Sequence, residues 1–135
     1  MEPEDFASAL IDELESLPEL KTAPMRKLRR EYPKRLSAKD AYYVLEVARS
    51  ILNSGKHGWI AYELIRDHPG AFHSLDRKSL EALGRGINNW SSVDSFSRTL
   101  SGPAWREGII SGDTIRDWAQ SADRWWRRAA LVMTP

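Results

Sequence analysis

Apolar residues recur along this chain at intervals of three and four, the spacing that puts them on one face of a helix. Phe6, Leu10, Ile11, Leu14 and Leu17 form the first such stripe, over residues 4–17, and Pro18 is expected to stop it. Pro24 is expected to open a second, short helix, MRKLRREY, and Pro33 to close it. Ser37 is read as the N-cap of a third, with a stripe of Ala41, Val44, Leu45, Ala48, Ile51 and Leu52 and with Gly55 just past its end. Further helices are expected at about 58–67, before Pro69, and at about 76–83. One more follows Trp90, and three others cover about 103–110, 114–120 and the stretch from Ala122 onward.

No stretch alternates in steps of two between turn signals, so no sheet is expected. Short helices on short loops predict an all-α chain of stacked helical hairpins of the HEAT or armadillo kind. No crisp internal repeat stands out, which leaves a compact irregular bundle as the alternative. At 135 residues without a low-complexity linker, residues 1–135 are read as a single helical-repeat domain.

The composition, 41% hydrophobic and 29% charged, is that of a folded globular chain rather than a disordered one. Absence of cysteine rules out disulfides and thiolate chemistry. The acidic N-terminus does not read as a secretory signal, and no apolar run is long enough to span a bilayer, so a cytoplasmic location without membrane contact is expected.

The formal net charge of +1 conceals an asymmetry. Residues 1–20 hold seven acids and no Lys or Arg, whereas residues 21–39 hold eight bases and one acid, Glu31, a local balance of +7. Two readings stand. Arg26, Arg29, Arg30 and Lys34 line a DNA-facing surface, or the basic run is a solvated face paired with the acidic helix beside it.

Most common site chemistries have no support. His57, His68 and His73 lack metal-ligand spacing, the Gly84-Arg85-Gly86 run lacks the strand and lysine of a phosphate loop, and no serine sits in a nucleophile elbow. No metal or cofactor is expected. The C-terminal half is distinctive in another way: residues 84–133 contain five tryptophans and seven arginines and no lysine. Trp118 and Trp126 continue apolar stripes and read as core. The remaining combination suits phosphate forks and stacking on nucleic acid.

Trp90 and Asp94 are four residues apart in NNWSSVDS, so a helix places the indole and the carboxylate on one face. Together they can stabilise a neighbouring cation such as an oxocarbenium sugar. Structural readings compete: Ser91 and Asp94 form an S-x-x-D cap, or Asp94 pairs with Arg98 one turn on.

NNWSSVDSFS and IRDWAQSADRWWRRAALV together resemble the AlkD-type family of DNA alkylation repair enzymes, and KTAPMRKLRREYPK resembles that family's early segment. The likeness covers about residues 20–133 and is densest at 88–94 and 115–132. It implies HEAT-like repeats around a basic cleft for double-stranded DNA. The implied activity is metal-independent glycosylase hydrolysis of the N-glycosidic bond of N3- and N7-alkylated purines, in the best-known type without flipping the base. By the same resemblance Asp94 matches the catalytic aspartate, Trp90 the tryptophan packed on the lesion's deoxyribose, and Arg128 the arginine of the cleft; Trp125 and Arg127 are expected to contact DNA beside it. Family members continue into further repeats, with another cleft tryptophan. The apolar side of ADRWWRRAALVM is therefore expected to lie uncovered and to promote self-association. A DNA-binding module without catalysis and a protein-interaction scaffold are the competing functions.

Overall fold

A computed structural model describes residues 1–17 and 23–133. Helices dominate, and no strand occurs among the described residues. The chain divides into two compact units, Met1–Ala71 and Phe72–Pro135.

The first unit contains α1 (Pro3–Glu15), α2 (Ala23–Leu36), α3 (Ala41–Asn53) and α4 (Gly58–Arg66). Helix α3 packs against both α1 and α4. Its buried face is Val44, Val47, Ala48 and Ile51, which meets Leu10 and Leu14 of α1 and Ile60, Leu64 and Ile65 of α4 in the buried apolar set. Pro18 and Lys21 lie outside the described residues.

Two expected boundaries are corrected here. Pro33 does not close α2 but sits inside it. A proline within a helix removes one hydrogen bond and crowds the preceding turn, at a cost of ~3 kcal/mol. Neighbouring side chains offset that cost: Tyr32 and Leu36 are buried, and the Tyr32 hydroxyl donates to the Glu13 carboxylate on α1. The Arg35 guanidinium lies over the Tyr32 ring and pairs with the same Glu13. Ser37 is not the cap of α3 either, because its hydroxyl turns back to donate to the Lys34 carbonyl. Asp40 takes the role, its carboxylate accepting from the Tyr43 amide at 2.8 Å. Past the end of α3, Gly55 adopts a φ of 75°, the left-handed turn a glycine makes readily.

A short α5 (Pro69–His73), not expected from the sequence, leads into the second unit. There α6 (Arg77–Leu83) is followed by α7 (Trp90–Phe96), a π turn at Ser97–Ser101 and α8 (Gly102–Arg106), then by α9 (Gly112–Ala119) and α10 (Arg124–Met133). The separate helices expected after Trp90 and over 103–110 are in fact one unbroken helical run from Trp90 to Arg106. The wide turn absorbs Pro103, and the Gly102 amide reaches the Ser97 carbonyl five residues back. Only glycine fits there, since a Cβ on Gly102 would lie 2.7 Å from that carbonyl oxygen. The run ends at Arg106 rather than 110, where Gly108 turns the chain with a φ of 78°.

Helix α10 packs against α7, α8, α9 and the π turn. Phe96, Trp118 and Trp126 form an aromatic core, with Trp118 and Trp126 centroids 4.7 Å apart and Phe96 and Trp126 5.6 Å apart. Trp118 is buried and its indole N–H donates to Glu81 at 3.1 Å, so the core reading of that residue holds. Gly84 lets this cluster approach the backbone: a Cβ there would sit 2.7 Å from the Trp126 ring and 2.9 Å from that of Phe96. The apolar side of α10 expected to lie open is largely covered, with Ala129, Ala130 and Met133 buried; Leu131 is its large exposed apolar residue.

Candidate functional site

Helix α7 begins at Trp90 because Asn89 caps it. The Asn89 side chain accepts from the Ser92 amide at 2.8 Å, and the Ser92 hydroxyl closes the reciprocal bond. This box leaves Asp94 without a capping duty, so the S-x-x-D reading of Ser91 and Asp94 is replaced. Pairing with Arg98 is replaced too. Asp94 points instead to α10, where Arg128 donates from Nε to Oδ1 at 3.2 Å and from Nη2 to Oδ2 at 3.3 Å.

The same guanidinium lies over the Trp90 ring, 4.9 Å from its centroid. Trp90 stands edge-to-face with Trp125 at 5.4 Å, and the Arg124 guanidinium lies 4.5 Å over the Trp125 ring. A stack therefore runs Arg124–Trp125–Trp90–Arg128–Asp94 across α7 and α10. Trp90 is 63% exposed, whereas the Asp94 and Arg128 side chains keep about a quarter and a third of their surface. At such exposure a cation–π contact or an ion pair is worth about 0.5–1 kcal/mol, enough to orient side chains but not to lock them.

The three residues that the resemblance assigns to the site thus meet in one place. The other expected DNA contacts fare differently. Trp125 joins the stack. Arg127 is turned away from it and donates to the carbonyls of Ser121 and Ala122 ahead of α10. Arg26, Arg30 and Lys34 lie in the N-terminal unit at four-residue intervals along α2; all three are exposed, and none has an ion-pair partner among the described residues. Arg29 on the same helix is engaged by Glu63, while Lys27 and Arg35 pair with Glu31. Among the described residues only Arg35 of this run pairs with the acidic helix α1, through Glu13, so the paired-face reading covers that residue alone; Lys27 and Arg29 find their carboxylates on α2 and α4.

Arg124 is a member of the stack that the sequence reading does not single out. Its place one residue before Trp125, with Arg128 one turn on, is the signal that could have found it. Among the described residues no group of His, Asp and Glu is arranged to hold a metal, and no helix is long and apolar enough to cross a membrane. A shallow cleft of about 610 Å³ between α6, α9 and the start of α10 has Trp118 and Trp126 in its wall and does not include Trp90 or Asp94. Its Arg77 is neutralised by Asp117 and Glu81.

The fold and site define an all-α protein with an exposed indole, a carboxylate and a guanidinium converging on one helix pair. The chain belongs to the DNA alkylation repair enzyme family, whose model matches residues 11–135. No curated protein and no solved structure gives a match.

Proposed function

We propose that this chain is a DNA glycosylase that releases N3- and N7-alkylated purines from double-stranded DNA, with Asp94 and Trp90 at the reacting sugar and Arg128 on the backbone. The observation that carries the reading is the contact of one guanidinium with both the Asp94 carboxylate and the Trp90 ring. An alkylated purine is already cationic and leaves readily, so no strong general acid is required. The remaining task is to stabilise positive charge growing on the deoxyribose, which a carboxylate and an indole face do electrostatically. Water then attacks the anomeric carbon, the purine leaves with the bonding electrons, and the water's proton passes to solvent.

The Arg128–Asp94 contacts, at 3.2 and 3.3 Å, are longer than the 2.7–2.9 Å usual for charge-assisted bonds. An arriving phosphate can compete for such a guanidinium and release Asp94 toward the sugar. Arg26, Arg30 and Lys34 offer the unpaired cations for further phosphate contacts, within HEAT-like repeats. One observation favours the second reading, a DNA-binding module without catalysis: Arg128 compensates the Asp94 charge in the free protein. Incubation with a duplex containing 7-methylguanine separates the two. Free base and abasic sites are the expected products, and an intact duplex that is nonetheless bound would establish the module instead.

A further inference from the structure

The arrangement at Trp90, Asp94 and Arg128 has a counterpart in the N-terminal unit. Trp59 and Glu63 also stand four residues apart on one helix, α4. Arg29 of α2 donates to the Glu63 carboxylate from Nε at 3.1 Å and from Nη2 at 2.7 and 2.8 Å, and its guanidinium lies 5.2 Å over the Trp59 ring. The same donor atoms are used, although Glu63 Oε1 takes both nitrogens where the two Asp94 oxygens take one each. In both units the carboxylate takes Nε and Nη2, the indole lies under the guanidinium, and Nη1 is left without a hydrogen bond among the described residues. Both arginine side chains keep access to solvent, 47% for Arg29 and 32% for Arg128.

We propose that Arg29, Trp59 and Glu63 form a second DNA-contacting site, which takes a deoxyribose-phosphate unit of the duplex and does not cleave it. The proposal rests on the reading of the Asp94 site as DNA-binding. A held guanidinium with one free N–H edge is oriented in advance for a phosphate oxygen, so little side-chain freedom is lost on binding. The unpaired Arg26 and Arg30 on the same helix add attraction for a polyanion. The half-buried Trp59 offers an indole against the sugar. The Nε contacts are alike, 3.1 Å at Glu63 and 3.2 Å at Asp94, but Glu63 holds Nη2 at 2.7 and 2.8 Å where Asp94 holds it at 3.3 Å. The closer carboxylate stays compensated, so it orients the arginine and is not released toward a sugar.

The test uses the full chain, undamaged duplex for affinity and its salt dependence, and a 7-methylguanine duplex for single-turnover release at saturating protein. Arg29→Ala is expected to weaken duplex binding roughly tenfold and to make the salt slope shallower by about 0.9, the change for one phosphate that is no longer neutralised. Glu63→Gln removes the charge pairing between α2 and α4, weakening the same tie, but leaves the Arg29 cation uncompensated, so its slope is expected to hold or steepen. A purely structural tie would make the two variants behave alike, or leave both with wild-type affinity once compared at equal fraction folded, and either outcome overturns the proposal. Failure of wild type to release base would instead sink the glycosylase reading and leave this binding comparison intact. Failure of wild type to bind any duplex would overturn both.

Discussion

Arg128 spans the Asp94 carboxylate and the Trp90 ring, joining α10 to the first two turns of α7 by one side chain. Position, rather than stability, is what this contact supplies, because both partners of the ion pair are partly exposed and such pairs contribute about 0.2–1 kcal/mol. Arg128→Ala should therefore lower the unfolding free energy by less than about 1 kcal/mol while weakening duplex binding and slowing base release. Arg128→Lys should restore part of the binding but not the two-point hold on Asp94. Urea unfolding alongside duplex titration checks the split; a large stability loss with unchanged affinity would make Arg128 a packing residue.

Asn89 touches no DNA in the proposed mechanism, yet it fixes where α7 begins. Asn89→Ala should cost about 1 kcal/mol and fray the turn that carries Trp90. Base release should then slow although no residue of the cluster has changed. Asn89→Asp keeps an acceptor at the cap and should preserve both stability and rate. Equal rates for the alanine and aspartate variants would show that the cap does not position Trp90.

The row Arg26, Arg30 and Lys34 should carry salt dependence. Replacing all three with Gln should make the slope of log affinity against log salt shallower by about 0.9 for each phosphate left unneutralised. Fluorescence anisotropy with undamaged duplex over a salt series measures it. An unchanged slope would mark the row as solvated decoration.

Gly84 should not tolerate a side chain. The methyl of Gly84→Ala meets the Trp126 and Phe96 rings below 3.0 Å, and overpacking of this kind costs about 1–3 kcal/mol. Because Trp126 sits on α10 beside Trp125, the shift should also change near-ultraviolet circular dichroism of the tryptophans. Full stability with an unchanged spectrum would contradict the packing described.

Leu131 is the large apolar residue that α10 exposes, at 68%, and self-association through that face would have to use it. If that face pairs, light scattering of wild type should show species larger than monomer and Leu131→Lys should abolish them; identical monomers would remove the idea.

Sequence periodicity located most helices because the buried stripes are strong, as in Val44, Ala48 and Ile51. It misplaced boundaries where a distant partner overrides local preference. Pro33 is carried inside α2 by the anchoring of Tyr32 on Glu13, and Pro103 is carried by a π turn that spacing rules do not describe. Trp90 and Asp94 were legible as a pair because four-residue spacing is a property of one helix. Their link to Arg128, 34 residues on, was legible only through family resemblance. The parallel pair Trp59 and Glu63 has the same spacing in the sequence, but its arginine lies upstream on a different helix, so spacing alone gave no reason to join them.

The central claim is that the Asp94 charge acts on the sugar as the purine leaves. Single-turnover release of 7-methylguanine by wild type and Asp94→Asn, at equal fraction folded and saturating protein, tests it most directly. Losing one electrostatic partner of this kind should slow release by on the order of 100-fold, with duplex affinity held or raised because Arg128 is freed. Equal release rates for the two proteins would contradict the claim and leave Asp94 as a structural partner of Arg128.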